Sequence, residues 1–161
     1  MTIKVGDKLP QATFRLMGPE GPVAKTTDEL FAGKTIVLFA VPGAFTPTCH
    51  KNHLPGFIAK AADIKAKNID AIMVTSTNDV FVMDAWAKAT GGAGLIEFLS
   101  DGNADFAKAI GLSMDGSGFG LGTRSQRYSM IVKDGVVDKL NVEDGPGKAD
   151  ISGAEALLAQ L

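Results

Sequence analysis

The chain reads as a single-domain α/β sandwich, and three observations carry that reading. Short apolar, β-branched runs such as Thr35-Ile-Val-Leu-Phe-Ala-Val41 alternate with helix-period segments through the middle of the chain. An Asp134-Gly135 pair then separates two further strand-like runs, the strongest short hairpin signal available, and a helical pattern follows it. Finally, 161 residues of which 45% are hydrophobic and 21% charged suit one globular unit, burying roughly 70% of its unfolded surface. No internal repeat and no linker divides the chain, so residues 1–161 are expected to form one domain.

In chain order, residues 12–25 centre on Gly18-Pro-Glu-Gly-Pro22 and predict a β-hairpin or a pair of short strands. A short helix is expected over Thr27 to Phe31, ended by Gly33. The buried strand at 35–41 runs into a Pro/Gly turn and then a helix that begins near Cys49 and continues to about Asn68, with a kink at Pro55. Asp70 to Thr75 reads as the next buried strand, and Asp79 to Thr90 as a helix capped by Asn78 or Asp79 and stopped by Gly91-Gly92. A third strand follows at Leu95 to Leu99, then a short helix from Asp105 to Ile110 ended by Gly111. The stretch Gly116-Ser-Gly-Phe-Gly-Leu-Gly122 fits neither phosphate-binding glycine pattern and lacks the strand those need before it, so a mobile loop is expected. Tyr128 to Lys133 and Val136 to Leu140 form the hairpin, and Ser152 to Leu161 the last helix. That order describes a thioredoxin-like fold with an N-terminal β-hairpin addition.

Composition narrows the function. A formal net charge of −2 gives no electrostatic case for nucleic acid or an acidic membrane surface as partner. No apolar run approaches the ~18 residues a membrane helix needs, and Met1 to Pro10 has neither an apolar signal core nor, with Asp7, the character of a transit peptide. The single cysteine, Cys49, excludes a disulfide within these residues, so an oxidising compartment offers no staple and a cytoplasmic location is expected.

Cys49 sits where a strand, a Pro/Gly turn and a helix start meet, in Val41-Pro-Gly-Ala-Phe-Thr-Pro-Thr-Cys-His50. Helix N-termini present unpaired N–H groups and a partial positive charge, which favour thiolate over thiol. A free thiol is only about 3% ionised at neutral pH, so such a placement matters for reactivity. Pro42, Thr46 and Cys49 make the pattern P-x-x-x-T-x-x-C, with Thr46 where a dithiol motif would carry its first cysteine. A hydroxyl there can donate to sulfur and accept from an incoming O–H, which suits a small polar substrate attacked by sulfur.

This segment resembles the peroxidatic motif of the peroxiredoxins, and with His53-Leu-Pro-Gly-Phe57 it resembles their type II, peroxiredoxin-five-like subfamily. Further matching strings are Ser76-Thr-Asn-Asp79, Phe81-Val-Met-Asp-Ala-Trp86, Arg124-Ser-Gln-Arg-Tyr128, Asp134-Gly-Val-Val137 and Leu140-Asn-Val-Glu143. The resemblance covers nearly the whole chain and implies a thiol peroxidase. Cys49 would attack hydrogen peroxide or an alkyl hydroperoxide and become a sulfenic acid. It also implies a role for Thr46 in bonding sulfur and peroxide, and for Arg127 in stabilising the thiolate and the leaving oxygen. The Thr48 and Cys49 N–H groups would bind peroxide oxygens, and Pro42 would shield the sulfenic acid.

His53 is expected to border the pocket near the sulfur, while His50 is expected on the surface. Cys49 and His53 are spaced as metal ligands can be, but two histidines and one cysteine without an acidic cluster predict no metal, and no cofactor is needed. Phe45 and Phe119 are expected beside the substrate, leaving room for organic hydroperoxides. Arg124 has two readings, one in which it orients Arg127 through a shared carboxylate and one in which it is simply exposed.

Some relatives carry a resolving cysteine near the place of Ile151, and others near that of Val74; this chain has neither. An external thiol, from glutathione with glutaredoxin or from thioredoxin, is therefore expected to regenerate Cys49, and the subfamily implies a homodimer. Two other classes remain open to the sequence: a thiol redox sensor that reacts once and passes its disulfide on, and an inert binding module with a buried cysteine.

Overall fold

The computed structural model describes residues 1–161. Its elements are β1 (Thr13–Gly18), β2 (Gly21–Thr26), α1 (Thr27–Phe31), β3 (Thr35–Ala40), a π-helical turn (Cys49–His53), α2 (Leu54–Lys65), β4 (Ala71–Ser76), α3 (Val80–Thr90), β5 (Glu97–Ser100), α4 (Asp105–Ala109), β6 (Ser113–Asp115), β7 (Thr123–Ser125), β8 (Tyr128–Lys133), β9 (Val136–Val142) and α5 (Ala154–Leu158). Seven strands form one sheet in the order β2-β1-β5-β4-β3-β8-β9. β3, β4 and β5 are parallel, and β8 joins β3 antiparallel, pairing Ala40 with Tyr128. The N-terminal hairpin adds on through the Arg15–Ser100 pair, as an addition to the thioredoxin-like core.

The sheet is buried on both faces because its central strands are apolar at every position rather than at alternate ones. From Ile36 to Ala40, β3 is wholly buried, with Val37 and Phe39 on one side and Ile36, Leu38 and Ala40 on the other. The first side packs beneath α2, α3 and α5 and includes Cys49, Phe57 and Trp86. The opposite side is filled by Phe14, Phe31, Phe106 and Tyr128. Asp134 and Gly135 both take positive φ, 48° and 78°, as the two-residue turn between β8 and β9 requires.

Three expectations need correction. The helix expected to begin near Cys49 with a kink at Pro55 starts at Pro47 and Thr48 and then widens into a π turn, in which the Leu54 N–H reaches the Cys49 carbonyl. The π turn runs directly into α2, so Pro55 lies inside a continuous helical path, and the widened turn just before it is where its missing N–H is accommodated. The glycine-rich stretch expected as a loop is the tip of a two-stranded ribbon: β6 pairs with β7, Met114 opposite Arg124, around a single 3-10 turn at Ser117–Phe119. Strands of three residues give too short an alternation to read from sequence. The last helix spans only Ala154–Leu158: Ser152 is engaged by Glu143 ahead of the Gly153 cap, and Ala159 caps the other end.

Candidate active site

β3 delivers the chain into the turn Val41–Thr46, and the turn is held from several sides. Asn78, one of two candidate caps for α3, instead accepts the Ala44 N–H (2.8 Å) and the Ser76 hydroxyl (2.8 Å), while Asp79 caps the helix through Val82. Arg124 fits neither of its two readings: it shares no carboxylate, and it donates to the carbonyls of Leu121 (2.8 Å) and Pro42 (3.2 Å). Gly43 permits that approach, since a Cβ there would stand 2.8 Å from the Arg124 guanidinium. Phe45 holds a left-handed φ of 64°, a conformation uncommon outside glycine that here aims the following Thr46 at the sulfur.

Cys49 is fully buried, and two side chains converge on its Sγ: Thr46 Oγ1 at 2.9 Å and Arg127 Nη2 at 2.9 Å. The single Thr46 proton has a second acceptor in the Gly43 carbonyl at 2.6 Å, so the hydroxyl can give its proton to one side and present lone pairs to the other. The N–H groups of Thr48 and Cys49, in the first helical turn, find no acceptor within the chain. They are free to bind an oxygen. Pro42 is buried in the same turn, where its carbonyl accepts from Arg124.

Arg127 reaches the sulfur from the start of β8 and is only 2% exposed. Its Nη1 donates to His53 Nδ1 (2.8 Å), and its Nε and Nη2 donate to the Pro146 carbonyl (3.3 and 3.0 Å). No carboxylate pairs with it. Because His53 Nδ1 accepts from Arg127, its proton lies on Nε2, which donates to the Ser152 carbonyl at 2.9 Å. Burial, with the Arg127 charge acting in the same direction, pushes the His53 pKa down to about 3, so the ring is neutral. Both its nitrogens are occupied, which turns His53 toward Arg127 rather than toward a substrate.

The other expected residues lie further out. Thr48 donates to the Gly147 carbonyl at 3.4 Å. Phe45, 48% exposed, packs against His50 and Trp86, and Phe119 stands 87% exposed on the tip of the β6–β7 ribbon. His50 is not a free surface residue: it accepts the indole N–H of buried Trp86 at 3.1 Å and ties the π turn to α3. Glu143, Pro146 and Ser152 were missed by sequence reasoning; the string ending in Glu143 was the one available signal. No three His, Cys, Asp or Glu side chains gather as a metal site would need.

Comparison with known proteins identifies the family of the chain. The Redoxin family model matches residues 4–158. A chloroplastic peroxiredoxin-2E-2 of rice, Oryza sativa subsp. japonica, is 51% identical over 99% of this chain and 73% of its own length. The crystal structure of reduced Prx3 from Vibrio vulnificus in complex with hydrogen peroxide superposes with a TM-score of 0.94 at 53% identity, covering 99% of both chains. The Plasmodium falciparum antioxidant protein, a 1-Cys peroxiredoxin, superposes with a TM-score of 0.87 at 30% identity over 96% of each chain.

Proposed function

Since this chain belongs to the Redoxin family as a type II peroxiredoxin, and is therefore a thiol peroxidase with a single cysteine, we propose that the Cys49 thiolate is its nucleophile and that Thr46 and Arg127 serve it directly. One observation carries this reading. A guanidinium buried to 2% exposure has no carboxylate partner and lies 2.9 Å from Sγ. An uncompensated buried charge costs several kcal/mol, and a thiolate at Cys49 is the anion within reach that relieves it.

In the reaction, Sγ donates an electron pair to one peroxide oxygen, the S–O bond forms and the O–O bond breaks. Sulfur is oxidised by two electrons to the sulfenic acid. The second oxygen leaves as hydroxide or alkoxide and takes a proton from solvent to give water or an alcohol. Arg127 is placed to stabilise charge moving from sulfur to the leaving oxygen, and the free N–H groups of Thr48 and Cys49 to hold the peroxide. The Thr46 hydroxyl accepts the peroxide O–H while its own proton rests on Gly43 or the sulfur. Pro42 closes the floor of this turn against water.

The sulfenic acid is returned to thiol by an external thiol, glutathione with glutaredoxin or thioredoxin, because the chain holds no second cysteine. A reducing compartment such as the cytoplasm supplies that thiol. A homodimer is the proposed assembly, as the resemblance to the type II subfamily implies. The decisive experiment is stopped-flow reaction with hydrogen peroxide. Wild-type protein is expected to lose its thiolate absorbance in a second-order process, Cys49→Ser to show none, and Arg127→Gln to react roughly 100-fold more slowly with a smaller thiolate signal at neutral pH. An Arg127→Gln protein with wild-type thiolate signal and rate would remove arginine from the chemistry.

A further inference from the structure

Between β9 and α5 the chain crosses the active site with very little side-chain anchorage. Asp144-Gly-Pro-Gly-Lys-Ala-Asp-Ile151 is rich in glycine, and Ile151 is half exposed. Yet three carbonyls of this strap hold the site: Pro146 O accepts from Arg127, Gly147 O from the Thr48 hydroxyl, and Ser152 O from His53. A segment of this composition does not fix three carbonyls unaided. Something must close its neck.

Glu143 closes it. Its carboxylate accepts both the Ser152 N–H (2.7 Å) and the Ser152 hydroxyl (2.6 Å), and both bonds end on the same oxygen, Oε2. Its own N–H donates to the Arg127 carbonyl at 3.0 Å, so one residue grips the strap and the backbone that carries the arginine. Glu143 is only 8% exposed and forms no ion pair. A carboxylate so placed, without a cation, acts through geometry: it sets the Ser152 carbonyl, which sets the His53 tautomer, which receives Arg127 Nη1, whose Nη2 meets the sulfur.

We propose that Glu143 is a positioning residue for the peroxide reaction, holding the strap Asp144–Ser152 closed so that its carbonyls orient His53 and Arg127 on Cys49. This rests on the reading of Cys49 and Arg127 given above. Because both bonds fall on one oxygen, reach should matter more than charge. Glu143→Gln can place its amide oxygen where Oε2 lies and should react with hydrogen peroxide within about threefold of wild type, whereas Glu143→Asp keeps the charge but withdraws the oxygen by a methylene. Misplacement of a catalytic group by about 1 Å can cost on the order of 100-fold, so Glu143→Asp and Glu143→Ala should react about 10- to 100-fold more slowly, with a reduced thiolate absorbance at neutral pH.

Circular dichroism identifies any variant that fails to fold. If Glu143→Ala does, the Asp and Gln pair decides. Asp at the wild-type rate, or Gln as slow as Asp, would overturn the proposal. So would a folded Glu143→Ala with unchanged rate and thiolate signal. A wild-type protein that does not react with peroxide would instead refute the Cys49 reading on which this one stands.

Discussion

His53 illustrates how burial decides the chemistry of a single side chain. It is 1% exposed, and its pKa, pushed down to about 3, lies well below that of an unfolded histidine near 6.5. As pH falls from about 6.5 toward 3, the unfolded chain takes up a proton that the folded chain refuses. The stabilising contribution of neutral His53 is therefore complete above that window and drains away through it. Urea unfolding at a series of pH values should show wild-type stability falling more steeply between pH 6.5 and 4 than that of His53→Asn, whose side chain cannot take the proton. Equal slopes would mean that the ring is not held neutral. At this scale the sequence was informative wherever side-chain type defines the chemistry: the thiol of Cys49, the hydroxyl of Thr46 and the charge of Arg127 have few substitutes. It was silent about Pro146, Gly147 and Ser152, because they act through carbonyls that every residue possesses.

The π turn at Cys49–His53 is the element on which the site depends, and it is locked to α3 by one contact. Trp86, fully buried, donates its indole N–H to His50 Nδ1, and Phe45 packs across both rings. His50→Ala leaves that N–H without an acceptor, at a cost of about 1–2 kcal/mol. Chemical denaturation should show a loss of this size, and Trp86 emission should shift as the indole meets a changed environment. Unchanged stability and emission would mean that the contact does not hold the turn. The long, strongly patterned elements were legible, including α3 and the β8–β9 hairpin, since hydrophobic period and the Asp134-Gly135 turn specify them locally. The π turn was not, because it is a local widening of five residues, marked by the Leu54 N–H reaching the Cys49 carbonyl, and that is too short for a hydrophobic period to register. Nor was the contact between His50 and Trp86, which joins elements whose relative placement follows from the packed sheet.

In the whole molecule, the sulfur lies within the core between the sheet and α2, with 0% of Cys49 exposed, and no second thiol exists in the chain to meet it. A small peroxide, held by the free N–H groups and the polar side chains of the turn, needs only a slight parting of the groups that cover Sγ. A protein thiol or glutathione must bring its own sulfur to within bonding distance of Sγ, which the closed site does not allow, so regeneration requires the turn to open. Two consequences can be measured together by intact-mass spectrometry. One equivalent of peroxide without reductant should add a single oxygen to the protein and yield no intrachain disulfide. Excess peroxide should carry Cys49 on to the sulfinic acid, because nothing within the chain traps the sulfenate. Glutathione added after the first step should give a mixed disulfide, more slowly than the peroxide step, and glutaredoxin or thioredoxin should clear it. Full-rate turnover with peroxide and no external thiol would contradict the one-cysteine cycle, and a mixed disulfide forming as fast as the sulfenic acid would show that the sulfur needs no opening of the turn to be reached.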